Sequence, residues 1–323
     1  MEHPRIDAIE HTRPTRPRRS RRRHGLDPRS QHWQGGSSMP FANVNDHTLY
    51  FEDNGAANLP TVLFSHGFVL DHTMWEPMVT ALSHRYRCIV WDSRGHGMSD
   101  CRGPFDFWDL ARDALALLDT LGIEHAVHVG MSQGGFAGLR AALLDPDRVA
   151  GVINIDSAVQ VFSADEMAQY GQMAAAWTTV GPVGDIAEAM RGIQFGPHFD
   201  WTPWLGKWQS KPPSEWKHSW QSQIDRDDIS SRLDELTMPI GFIHGDADPA
   251  IPIAYSHQTS AAIPNSLGVI AIAGGAHGAV LTHPTEVTAA LCDQLAKITS
   301  GDRPPVVRDG VRTTRNEGQH AQR

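Results

Sequence analysis

Between residues 39 and 157, short apolar runs alternate with amphipathic stretches. Residues 39–45 read as a first strand, and 48–52 alternate as an antiparallel strand does. Four later runs, at 61–65, 87–91, 125–129 and 149–155, are continuous and apolar. That is the form a strand takes when both of its faces are buried. Helical spacing fills the intervals: 74–82, then 106–121 with Gly122 as its C-terminal cap, then 135–144. Strands alternating with helices predict a parallel sheet covered on both faces.

The rhythm breaks between 158 and 236. This stretch holds helical pieces, scattered Gly and Pro, and six of the ten tryptophans: Trp177, Trp201, Trp204, Trp208, Trp216 and Trp220. An insertion of this size in an α/β pattern is expected over the carboxyl edge of the sheet, as a helical cap. Its tryptophans either form the cap's own core or line an apolar substrate pocket. The α/β pattern then resumes with a strand at 239–244, a helix at 252–263, a strand at 267–273 and a closing helix at 286–299. The division is therefore a core of 39–157 with 237–300, a helical cap at 158–236, and two extensions, 1–38 and 301–323.

Charge sets the extensions apart. Of the 323 residues, the first 38 carry nine arginines against four acids, and the tail from Gly301 carries five against three. The body between them holds 14 basic and 30 acidic side chains, so nothing in it suggests nucleic acid as a partner. The run Arg16-Pro17-Arg18-Arg19-Ser20-Arg21-Arg22-Arg23 resembles an arm or a targeting peptide, but polar residues follow it where an export signal would be apolar. Translation from Met39 is the simpler expectation, with 1–38 and the tail disordered. No apolar run approaches the roughly 18 residues of a membrane span. Cys88, Cys101 and Cys292 are odd in number and far apart, which suits buried, reduced thiols of a cytoplasmic protein.

The sharpest chemical signal is Gly130-Met131-Ser132-Gln133-Gly134, a G-x-S-x-G between a predicted strand and a predicted helix. A serine on such a turn is held exposed at the carboxyl edge of a sheet, and small flanking residues let strand and helix approach. A serine hydroxyl is a weak nucleophile without a base, and the base needs an acid to hold its tautomer. His277, in Gly274-Gly275-Ala276-His277-Gly278 after the last strand, is the expected base; His283 reads as a surface residue. The expected acid is Asp248, in His244-Gly245-Asp246-Ala247-Asp248-Pro249. Asp246 reads as a turn-former bonding its own backbone. Asp156, ending the preceding strand, is a third candidate. Backbone N–H groups of Phe68 and Gln133 are expected to bind the oxyanion, with His66 orienting the Phe68 loop and not acting as a base. Asp92-Ser93-Arg94-Gly95-His96-Gly97-Met98-Ser99 reads as a structural turn. No dinucleotide or phosphate fingerprint and no credible metal-ligand spacing appear.

Together, Ser65-His66-Gly67-Phe68, the 92–99 turn, the serine turn, Gly245-Asp246-Ala247-Asp248-Pro249 and Gly275-Ala276-His277 resemble the α/β-hydrolase family, from about Met39 to Thr299. The resemblance implies an eight-stranded, mostly parallel sheet with a cap after the sixth strand, and no cofactor. Members with dehalogenase or epoxide-hydrolase activity carry Asp at the nucleophile position; Ser132 points instead to the esterase and lactonase members, including the 3-oxoadipate enol-lactonase type.

The expected function is hydrolysis of a carboxylic ester or lactone of a mid-sized apolar or aromatic substrate. Carbon–carbon bond hydrolysis of a ring-fission diketone by the same triad, and slow-turnover ligand binding, remain open. The acidic body and the scarcity of cap arginines (Arg191 and Arg226 between Arg148 and Arg232) argue against a highly charged dicarboxylate. Oligomeric state is left open, a homodimer included.

Overall fold

The computed structural model describes residues 40–300; the expectations for 1–38, for a start at Met39 and for 301–323 lie outside them. In chain order the elements are β1 Phe41–Val44, β2 His47–Asp53, β3 Thr61–Ser65, α1 Glu76–Leu82, β4 Arg87–Trp91, α2 Phe107–Thr120, β5 Ala126–Met131, α3 Gln133–Leu144, β6 Val149–Ile155, α4 Ala164–Thr179, α5 Gly184–Phe195, α6 Thr202–Ser210, α7 Lys217–Ile224, β7 Ile240–Gly245, α8 Ile253–Ala262, β8 Ser266–Ile272, α9 Ala279–Thr282 and α10 Pro284–Thr299.

The eight strands form one sheet in the order β1-β2-β4-β3-β5-β6-β7-β8. β2 runs antiparallel to both of its neighbours, and the remaining pairs are parallel. From β3 the chain steps outward to β4, then returns past β3 to β5 and continues the other way. β3 and β5 therefore flank the topological switch point. Loops leaving the carboxyl ends of strands at such a point diverge and open a crevice, the usual ligand position in open α/β sheets.

Burial on both faces explains the continuous apolar strands. Along β3, Val62 and Phe64 join the core that contains Met78 and Leu82 of α1 and Leu291 and Leu295 of α10. Leu63 between them points to the opposite face, beside Leu117 of α2. Helix α2 starts with a reciprocal cap, Asp106 accepting from the Asp109 N–H and Asp109 from the Asp106 N–H. It ends before Gly122, whose φ of +64° is the left-handed turn that glycine adopts without strain.

Differences from the sequence expectation are local. The helix expected over 74–82 begins as a 3-10 turn, His72–Trp75, and becomes α-helical at Glu76. Pro77 lacks an N–H and fits only a first helical turn. Four-residue α9 was not anticipated, being too short to show periodicity. Of the thiols, Cys88 is buried as expected, but Cys101 and Cys292 are partly exposed. Among the described residues, no helix is long and apolar enough to cross a membrane.

The stretch between β6 and β7 carries α4 to α7. Trp177 is fully buried, with Trp208, Trp216 and Trp220 at ring-centroid distances of 5.5, 5.9 and 5.7 Å. This cluster is continuous with the main core. Trp208 and Trp220 also leave the insertion: Trp208 Nε1 donates to the Val69 carbonyl at 2.7 Å, and the Trp220 ring meets Phe68 at 4.7 Å. Trp177, Trp208, Trp216 and Trp220 therefore match the expectation of a buried aromatic core.

Candidate active site

Ser132 is the single residue between β5 and α3, and its φ of +48° and ψ of −111° lie where side-chain-bearing residues are strained. Tertiary bonds hold it there. Its N–H donates to the Ile155 carbonyl at 2.8 Å, and its carbonyl accepts from Ser157 Oγ at 3.0 Å. The glycines on either side are sterically required. A Cβ on Gly130 would lie 2.2 Å from the Gly134 carbonyl carbon, and one on Gly134 would lie 2.0 Å from the Ser65 carbonyl oxygen.

His277, on the loop between β8 and α9, places Nε2 2.9 Å from Ser132 Oγ. Its Nδ1 lies 2.8 Å from Asp248 Oδ2. Asp248 sits on the loop after β7, and its other oxygen, Oδ1, accepts from the Ala250 and Ile251 N–H groups at 2.7 and 3.0 Å. An ionised carboxylate only accepts, so the proton of His277 resides on Nδ1 and Nε2 is free to take one from the serine. Burial alone would raise the Asp248 carboxyl. The nearby His277, with hydrogen bonds from His244, His277 and the Ile251 N–H, holds it well below the usual carboxylate range. All three side chains are buried.

The alternative candidates fall elsewhere. Asp246 is exposed and accepts from the Gly274 N–H at 2.7 Å; it therefore braces the His277 loop and does not bond its own backbone as the sequence suggested. The turn-forming acid is Asp248. Asp156 is fully buried, accepts from the Gly245 N–H at 2.7 Å through Oδ1, and leaves Oδ2 without a partner. Burial pushes its carboxyl well up, aided by the Asp248 charge. Half-buried His283 bonds Thr282.

Phe68 lies on the loop leaving β3 and Gln133 opens α3, so both border the crevice at the switch point. Gly67 lets this loop pass over β5, since a Cβ there would meet Met131 Sδ at 2.2 Å. His66 Nε2 accepts from the Ser93 N–H at 3.0 Å, which leaves Nδ1 to donate to the Gly67 carbonyl at 2.7 Å. Burial lowers its pKa, in keeping with this neutral tautomer. The 92–99 turn is held by Asp92, which accepts from His72 and from the Met98 N–H. It is further held by the buried Arg94–Asp113 pair.

One network escaped the sequence reading. Gln133 Nε2 donates to Ser93 Oγ at 3.0 Å, Gln223 Nε2 of α7 donates to Gln133 Oε1 at 2.8 Å, and Ser93 Oγ lies 3.1 Å from His66 Nε2. It joins both expected oxyanion loops to the insertion. No spacing rule pairs glutamines so far apart. Two groups of metal-ligand types also come together unforeseen, Asp71 with His72 and Asp92, and Asp156 with His244 and Asp248. Their atoms are largely engaged within the protein, as in the Lys207–Asp71 pair at 2.7 Å and the His244 Nε2–Asp248 Oδ2 contact at 3.3 Å.

A family model for the alpha/beta hydrolase fold matches residues 60–284. The 3-oxoadipate enol-lactonase 1 of Acinetobacter baylyi is 28% identical over 222 residues, 67% of this chain and 82% of that protein. A thermophilic esterase from Thermogutta terrifontis superposes with a TM-score of 0.70 at 28% identity, covering 78% of this chain and 94% of its own. The enol-lactonase of Burkholderia xenovorans LB400, at 24% identity, shares the fold with a TM-score of 0.72 over 80% of this chain and all of the other.

Proposed function

This chain belongs to the alpha/beta hydrolase family, and from that premise we propose a serine hydrolase that cleaves a carboxylic ester or lactone. The observation that carries the reading is the continuous contact from Asp248 Oδ2 through His277 to Ser132 Oγ, at 2.8 and 2.9 Å, on a strained turn.

Ser132 Oγ attacks the carbonyl carbon as its proton passes to His277 Nε2. Asp248 accepts from Nδ1 and stabilises the imidazolium. The negative charge that develops on the carbonyl oxygen is met by the Phe68 and Gln133 N–H groups. His277 then protonates the departing alkoxide; in a lactone this alkoxide stays tethered to the acyl group. Water enters, gives its proton to His277 and attacks the acyl-serine, and the acid leaves with Ser132 restored. None of these steps requires a cofactor. The aromatic insertion supports an apolar or aromatic substrate.

The test is multiple-turnover hydrolysis of a panel of chromogenic esters and lactones by the wild type and Ser132→Ala. Turnover that vanishes with the substitution, leaving a folded protein, supports the reading. Turnover that persists, or folded wild type inert toward the whole panel, refutes it.

A further inference from the structure

Arg226 lies three residues past Gln223, where the insertion returns to the core. Only 7% of its surface is exposed. The guanidinium carbon lies 3.9 Å from the Phe136 ring centroid and 4.6 Å from that of Phe162. Nη2 donates to the Gln160 carbonyl at 3.1 Å, and the buried Nε has no partner.

No carboxylate pairs with it among the described residues, although three acids stand within two positions in the chain. Asp225 accepts from Gln221, Asp227 from Arg140 and Trp108, and Asp228 from the Ser230 N–H. Arg140 shows what a structural arginine looks like in this fold. It is wholly buried, and its three nitrogens donate to Asp227 and to the Phe136 carbonyl. The insertion's other cations are engaged or in solvent. Arg191 pairs with Glu188, Lys207 with Asp71 and Arg232 with Glu235; Lys211 donates to the Gly95 carbonyl, and Lys217 is exposed.

A buried charge without a partner is costly to keep out of water. The two ring faces offset only part of that cost. Burial lowers Arg226 to about 10, so it stays cationic at neutral pH. With every neighbouring acid turned elsewhere, the Arg226 guanidinium keeps an unused donor and an uncompensated charge that an anion from outside would satisfy.

Its position relates that anion to the reaction centre. Phe136 is one turn of α3 beyond Ser132 and donates its N–H to the Ser132 carbonyl at 3.0 Å. On the other side a row of rings leads to the oxyanion loop: Phe162 stacks on Tyr170 at 4.8 Å, Tyr170 meets Trp220 at 5.9 Å, and Trp220 meets Phe68 at 4.7 Å. We propose that Arg226 is a subsite for one carboxylate of the substrate, joined to the scissile ester by an apolar spacer lying along Trp220, Tyr170 and Phe162. The proposal rests on the hydrolase reading above and narrows its substrate class to half-acid esters or lactones. A single anion also suits the acidic body, which opposes more negative charge.

The test compares 4-nitrophenyl monoesters of glutaric, adipic and suberic acids with neutral 4-nitrophenyl esters of matched length, in wild type, Arg226→Met and Arg226→Lys. A wild-type preference for the half-acid at one chain length is expected. Arg226→Met lowers the ratio of half-acid to neutral kcat/KM by about 10- to 100-fold, mainly through KM, and Arg226→Lys restores part of it. In parallel, adipic acid monoamide is titrated into Ser132→Ala with and without Arg226→Met, a readout independent of turnover. Neutral esters cleaved with an unchanged ratio overturn the subsite and leave the hydrolase reading intact. Equal losses on both substrate types assign Arg226 to packing and overturn it as well. If no ester is cleaved, the hydrolase reading falls, and monoamide binding decides the subsite: loss with Arg226→Met upholds it, while no binding or unchanged binding overturns it.

Discussion

Gln223 on α7 donates a 2.8 Å hydrogen bond to Gln133, the residue after the nucleophile candidate, and both are buried. The bond continues through Ser93 to His66, so one polar chain spans the insertion, the serine turn and the loop that carries Phe68. Buried networks of this kind set geometry, because each member left unpaired carries its full desolvation cost.

Replacing Gln223 by Leu strands the Gln133 amide oxygen. Stability should fall by about 1–3 kcal/mol, read by denaturant unfolding. Ester turnover should fall on the order of tenfold in kcat, since Gln133 supplies a proposed oxyanion donor. A lower melting temperature with unchanged kcat would restrict the glutamine pair to a role in folding.

The acid assignment separates cleanly by substitution. Asp248→Asn should lower kcat by about 10⁴-fold, since an amide no longer holds His277 in the required tautomer. Asp246→Asn, which alters only the brace to Gly274, should leave kcat close to wild type. The reverse ranking in steady-state assays would transfer the role to Asp246.

Stability should carry opposite pH signatures from the two buried carboxyls. Burial holds the Asp156 proton more tightly in the folded protein than in the unfolded chain. Its contribution is therefore complete below the unfolded value of about 3.9 and is lost as pH rises toward the folded value. Asp248 is depressed, so its contribution is present above about 3.9 and lost as pH falls. Asp156→Asn should gain on the wild type as pH rises above about 4 in chemical denaturation. A difference between the two proteins that does not change as pH rises from about 4 would refute the raised Asp156 carboxyl.

Much of the fold was legible because its signals are local. A strand buried on both faces must be apolar along its length, so β3 to β7 stand out as uninterrupted runs. Gly122, with its left-handed backbone, was legible as the cap that ends the helix before it. Legibility failed where the deciding neighbour was distant in sequence. Asp248 was legible as the partner of His277, but Asp246 was read as bonding its own backbone, and only the approach of the β8 loop sends it to Gly274. The tryptophans divided likewise: Trp177 is enclosed by its own kind, while Trp220, a similar residue in a similar helix, reaches Phe68.

By itself, the order of residues determined the strand–serine–helix turn and the succession of serine, acid and histidine along the chain. These depend on backbone sterics and periodicity within a few positions. Only the tertiary structure decided that Asp246 braces Gly274, which glutamine closes on Gln133, and that Arg226 remains buried with its neighbouring aspartates turned away. Those outcomes follow from which elements the sheet order brings together and from how far each charge is taken out of water. Desolvation is a property of the assembled fold, and no window of sequence contains it.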